Sequence, residues 1–174
     1  MEKDDMHMEG LRLRVNQFLF NRATDNDLGW FAGAIDFDGS FMINVQWKRG
    51  GGIRQFIPFL KITNTVPPVF RKMHAMGLEA KVVPRKSVEK KDGSGPRKRC
   101  YDAILCIEDM RLVLPRILVG LAAKRPQAEL MIEALGLLET KKSEDRDDAV
   151  LEIKKKIMAL NNKVWPLESW PTGP

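Results

Sequence analysis

The chain has 174 residues, 44% of them hydrophobic and 30% charged, with a formal net charge of +6 at pH 7. Those values belong to a soluble globular protein long enough to bury a core without disulfide or metal staples. No run of about 18 apolar residues occurs and the acidic start Met1-Glu-Lys-Asp-Asp is no secretory leader, which excludes a membrane partner and points to the cytosol or, for an organelle-encoded gene, an organellar matrix. Cys100 and Cys106 are spaced for neither zinc nor redox chemistry and read as free thiols.

In chain order, Met1 to about Met8 lacks periodicity and is expected to fray. Leu11, Val15, Phe18 and Leu19 mark one face of a short amphipathic helix, roughly Glu9 to Asn21. Thr24 or Asp25 caps the next helix, which runs to about Asp36, and Asp25 and Asp27 suit the positive end of its dipole. From Ser40 the period changes to two. Phe41, Ile43, Val45 and Trp47 face one way, and Met42, Asn44, Gln46 and Lys48 the other.

Arg49-Gly-Gly-Gly-Ile is a hairpin connection to a second strand, about Arg54 to Thr63, in which Pro58 suggests an edge or a bulge. Thr65 caps a helix that starts with Pro67 and Pro68 and closes at Gly77. A third strand over about Glu79 to Val88, a hairpin tip at Lys90 to Pro96 and a fourth strand over about Arg97 to Ile107 follow. Asp109 caps a helical run interrupted at Pro115, Pro126 starts a strongly apolar helix, and Ser143 opens a last one that ends near Leu160. The tail Asn161 to Pro174 reads as coil.

This order gives one α+β domain over residues 1–174, with flexible tails expected at 1–8 and 161–174: a four-stranded antiparallel curved sheet with helices on one face and the other face open. Charge is distributed unevenly along it. Residues 1–41 hold 4 basic and 8 acidic groups, residues 42–100 hold 14 and 3, and residues 101–174 hold 11 and 12. The strand-bearing third therefore carries the positive field, as expected for a polyanion partner. Double-stranded DNA suits it, because a two-stranded ribbon enters the major groove. The candidate contacts are Asn44, Gln46, Lys48, Gln55, Lys61, Arg85, Arg97, Arg99 and Tyr101, with Arg and Lys matching guanine and Asn and Gln matching adenine. Met42, Val83 and Ala103 are placed either to meet thymine methyls or to pack inward.

Between Leu28 and Phe41 a helix-like run ends in Asp36 and Asp38, and Gly39 breaks it before the first long strand, leaving a carboxylate at a helix-to-strand corner. Trp30, Phe31, Ala32, Gly33 and Ala34 form a segment whose small side chains would let a second copy's helix approach closely. The string Phe31-Ala-Gly-Ala-Ile-Asp-Phe-Asp-Gly39 resembles the LAGLIDADG motif of homing endonucleases, agreeing at six of nine letters without a gap. The likeness continues to about Lys163. Leu60-Lys-Ile-Thr-Asn64 resembles the end of the family's second strand, Ala122-Ala-Lys-Arg-Pro-Gln-Ala128 the stretch with its active-site lysine, and Ala159-Leu-Asn161 a late family string. Phe37 departs from the commoner Ala or Gly, and Pro68 stands where some relatives carry a basic residue.

The resemblance implies a site-specific endonuclease that makes a metal-dependent, staggered double-strand break and takes no small-molecule substrate. One motif per chain implies a homodimer, hence a nearly palindromic target. Strands of about 10 residues at ~3.3 Å span about one DNA turn, so a dimer would cover on the order of 20 base pairs. By the same resemblance Asp38 is the ligand for Mg²⁺ (or Mn²⁺ or Ca²⁺) from each subunit and the Phe37 carbonyl a second ligand. Lys124 stabilises charge in the transition state, Asn64 orders water, and Asp36 finishes the helix. Two other readings are a binding module that has lost cleavage, such as an RNA maturase, and a basic structural protein. The second explains the charge but not the motif.

Overall fold

The computed structural model describes residues 14–15, 17–49, 51–79, 83–84 and 100–162. Arg85, Arg97 and Arg99, the expected hairpin tip at 90–96 and the tail beyond Asn162 lie outside the described residues. Helix α2 (Asp25–Asp38) begins with a capping box: the Thr24 hydroxyl accepts the Asp27 N–H at 3.2 Å and the Asp27 carboxylate accepts the Thr24 N–H at 3.2 Å. The Thr24 hydrogen bonds hold the Asp27 carboxyl below its ordinary pKa. Leu28, Phe31, Ala32 and Ile35 recur at helical spacing and are buried, so this stripe docks the helix on the core.

The helix turns directly into β2 (Gly39–Trp47), which pairs antiparallel with β3 (Ile53–Asn64). With β5 (Val83–Pro84) and β6 (Tyr101–Leu105) they form a four-stranded antiparallel sheet in the order β2-β3-β6-β5. One face is apolar and covered. Phe41, Ile43, Phe56, Leu60, Ile62, Ala103 and Leu105 are buried with side chains of α2, α4 (Ile107–Ile117), α5 (Arg125–Leu137) and α6 (Glu144–Asn161). Asn161, at the end of α6, donates to the Phe41 carbonyl at 2.8 Å and ties that helix to β2. The fold is thus the α+β sandwich with one open sheet face.

Several local expectations give way to longer-range packing. The expected helix from Glu9 is in its described part a short strand, β1 (Arg14–Val15), followed by helix α1 (Gln17–Asn21), because β1 finds an antiparallel partner in β4 (Leu78–Glu79). Glu79 therefore belongs to that small sheet and not to the start of the strand that continues at Val83. The N-cap of helix α3 (Pro67–Ala75) is Val66 and not Thr65; it has no side-chain cap, and its own N–H is accepted by Asn64 Oδ1 at 2.7 Å. Gly77, at φ 83°, does close the helix.

Cys106, not Asp109, is the N-cap of α4, while Asp109 is the third residue of the helix and completes the capping box. Pro115 does not interrupt α4, which continues to Ile117 and then tightens into a 3-10 turn, Leu118–Gly120. Pro58 is buried and opposite Ile43 on β2. No bulge falls at that pair, but on its other side Pro58 is at an edge, as the proline suggested. Among the described residues β6 pairs only with Leu60–Asn64, so β3 at Pro58 has a neighbour on one side alone and can spare a ladder donor.

Candidate active site

Two acids at the C-terminal end of α2 are placed where the helix dipole disfavours negative charge, and its last turn holds no basic residue. Such a position gains from a cation or a donor. Gly39 makes the corner possible: a Cβ there would lie 2.5 Å from the Ile35 carbonyl oxygen and 2.8 Å from its Cγ2. The Gly39 N–H donates to the same Ile35 carbonyl, so the turn from helix into strand takes a single residue. No side chain fits there.

Asp38 is then held by β3. Asn64 Nδ2 donates to Asp38 Oδ2 at 2.6 Å while Asn64 Oδ1 accepts the Val66 N–H at 2.7 Å, so the amide is fixed at both ends. Among the described residues Asp38 Oδ1 accepts no hydrogen bond, which leaves half of the carboxylate for a further ligand. Asp36 does more than finish the helix. Its Oδ2 accepts the Ala122 N–H and its Oδ1 the Lys124 N–H, each at 2.7 Å, although these residues lie 86 and 88 positions further on. The loop before α5 is thereby clamped to the helix end that presents Asp38. Lys124 is also held from the other side, since its carbonyl accepts the Ala128 N–H at 3.0 Å.

Phe37 points its ring into solvent at 90% exposure. Its carbonyl belongs to the last helical turn, whose carbonyls lack intrahelical donors. Asp38 and that carbonyl offer two hard oxygen donors per chain, the donor type that magnesium and calcium take. Among the described residues no group of three or more His, Cys, Asp or Glu side chains gathers within one chain to hold a metal. Asp38 and the Phe37 carbonyl supply two of the roughly six oxygens such an ion takes.

The open sheet face starts at this corner. Asn44, Gln46 and Gln55 are exposed on it, Lys61 is half-buried, and Lys48 follows β2 at the hairpin. Tyr101 is not on this face. It shares parity with buried Ala103 and Leu105, and its half-buried ring meets Phe70 of α3 edge-on at 6.2 Å, which places it for packing on the covered side of the sheet. Ala103 is likewise core and not a methyl contact. Trp47, expected inside, is 62% exposed beyond a register shift at Gln46/Trp47.

The segment expected to face a second copy divides in the same way. Phe31 and Ala32 are fully buried in their own core, so neither side chain can face a partner. Ala32 instead receives the 3-10 turn: a Cβ on Gly120 would come within 3.0 Å of the Ala32 Cβ. Trp30 is half-buried beneath Lys72, whose Nζ lies 4.9 Å from the ring centroid. Gly33 and Ala34 remain partly exposed, with open space around Gly33.

Comparison with solved structures places this architecture. The homing endonuclease I-CvuI, in complex with its target in the presence of calcium, superposes with a TM-score of 0.60 at 17% identity, over 81% of this chain and 87% of its own. The archaeal intron-encoded homing endonuclease I-Vdi141I, complexed with DNA, gives 0.61 at 15% identity, over 82% and 89%. The LAGLIDADG homing endonuclease I-SmaMI, bound to cleaved DNA, gives 0.57 at 19% identity, over 84% of this chain but 47% of its own.

The chain has the LAGLIDADG homing endonuclease fold. No protein-family model and no curated protein matches the sequence. This chain covers 87% of I-CvuI, 89% of I-Vdi141I and about half of I-SmaMI, so it corresponds to one unit of the LAGLIDADG fold. Within that unit the α2–β2 corner with Asp38 is the end of the motif itself.

Proposed function

We propose that this protein is a LAGLIDADG homing endonuclease: a metal-dependent enzyme that makes a staggered double-strand break at a long, nearly palindromic DNA target, acting as a homodimer. The observation that carries the reading is the Asp38 carboxylate, fixed by Asn64 at the foot of an exposed, cation-bearing sheet face and left open at one oxygen. The helix dipole disfavours an acid at this position, and the single bond from Asn64 leaves one oxygen of Asp38 unused by the fold among the described residues. Beside two phosphodiester strands the same acid becomes useful. The homodimer is supported by the single motif, by the incomplete set of metal donors in each chain, and by Phe37 and Val119, at 90% and 87% exposure, which a second copy would cover.

In this mechanism the outward side chains of β2 and β3 and the exposed cations Lys48 and Arg49 seat the duplex and set its register over the corner. Asp38 from each subunit, with the Phe37 carbonyl, would hold Mg²⁺; Mn²⁺ and Ca²⁺ suit the same oxygens. When bound, the ion supplies charge neutralisation at the phosphate and lowers the cost of generating hydroxide from water. Asn64 keeps the Asp38 carboxylate turned toward the strands by its hydrogen bond to Oδ2. Lys124 presents its ammonium to the charge that builds on the phosphate, with its backbone anchored by Asp36.

The test is Asp38→Asn, read on a duplex recovered by selection from a random pool. Binding should persist while magnesium-dependent cutting disappears, and a variant that cut at the wild-type rate would remove Asp38 from the mechanism.

A further inference from the structure

The outward face of the β2–β3 ribbon is chemically sorted along its length. Its cross-strand pairs, moving away from Asp38, are Ser40 with Lys61, Met42 with Phe59, Asn44 with Ile57, and Gln46 with Gln55. A cation stands at the corner end, and Lys48 and Arg49 stand at the hairpin end, both exposed. Between them lie apolar side chains and carboxamides. Met42 is 36% exposed, and Phe59 and Ile57 are half-buried on the open side while their neighbours Pro58 and Leu60 are buried on the other.

We infer that this block reads a run of A·T base pairs in each half-site, an inference that rests on the DNA-binding reading above. In the major groove only thymine offers a methyl group, and a carboxamide matches the N6 and N7 positions of adenine in a bidentate pair. Guanine is matched by Arg and Lys, which on this ribbon stand at the two ends of the block. Met42, Phe59 and Ile57 therefore take thymine methyls, and Asn44, Gln46 and Gln55 take adenines. From Met42 to Gln46 the strand advances about 13 Å, which at ~3.4 Å per base pair is about four pairs. Because the block is bracketed by cations within the basic third of the chain, its occupant is a polyanion and not an apolar protein surface.

The experiment is selection of the full chain on a randomised duplex pool without magnesium, followed by atomic substitution in the recovered site. The expected result is an A·T run of about four pairs at the same offset in both halves. Replacing its thymines by deoxyuridine removes only methyl groups and should weaken binding about fourfold for each methyl in contact. Phe59→Ser should abolish that thymine–uracil difference at one position of the run and keep it at the others. G·C pairs recovered throughout this segment, or deoxyuridine that binds as well as thymine, would overturn the inference and leave the endonuclease reading standing. Recovery of no duplex above the starting pool would overturn both.

Discussion

Asp36 offers the sharpest perturbation, because its effect should pass through a residue it touches only by backbone. The carboxylate takes the N–H groups of Ala122 and Lys124 at 2.7 Å each, and nothing else described in the structure ties that loop to the Asp38 corner so directly. A hydrogen bond to an ionised acceptor contributes about 1.5–3 kcal/mol when it is lost from a shielded site. The Ala122 bond is exposed and water replaces much of it, so we assign ~2 kcal/mol to the clamp as a whole. That is about 30-fold in any rate that depends on Lys124 being in place. Asp36→Ala should therefore slow single-turnover cleavage about 30-fold with little change in DNA affinity, and lower Tm by about 4–8 °C. The decisive assay is a double-mutant cycle with Lys124→Ala. If Asp36 acts by positioning Lys124, adding Asp36→Ala to Lys124→Ala should cost little further rate. Losses that multiply in the double variant would refute the coupling.

Three further outcomes follow from single contacts. Gly39→Ala puts a Cβ 2.5 Å from the Ile35 carbonyl, a backbone atom that cannot rotate away, and should cost ~2 kcal/mol in chemical denaturation; unchanged stability would mean the corner is looser than described. Phe37→Glu leaves the carbonyl in place but sets like charges across the proposed two-fold axis, so sedimentation should shift toward monomer, and an unshifted dimer would place the interface elsewhere. Burial and the hydrogen bond to Asp109 push the Cys106 thiol up to about 12 from 9.0. The folded state thus holds this proton longer than the unfolded one, and the resulting stabilisation is complete below pH 9 and lost as pH rises toward 12. At pH 9 Cys106 should resist alkylation in the folded chain, and labelling as fast as in denaturant would contradict the shift.

What the sequence made legible was local. Thr24 and Asp27 mark the start of α2 and Ser143 that of α6, and the alternation from Phe41 to Val45 sets the inward face of β2. The Asp38–Gly39 corner follows from that switch of period. What failed depended on partners far along the chain. Arg14 and Val15 leave the helical pattern because Leu78 and Glu79 lie beside them. The clamp of Asp36 on Ala122 and Lys124 has no local signature, since backbone N–H groups are the same at every position. Two side-chain directions were legible by counting. The spacing of Leu28, Phe31, Ala32 and Ile35 is that of a single inward stripe, and Tyr101 has the parity of Ala103 and Leu105.

The pairing of two Asp38 corners across one duplex is tested most directly by sedimentation of the protein on its selected duplex, measured at a concentration where cutting is complete. Two chains per duplex is the expected stoichiometry. A single chain per duplex with full double-strand cutting would show that one corner suffices and that the doubled metal site does not exist.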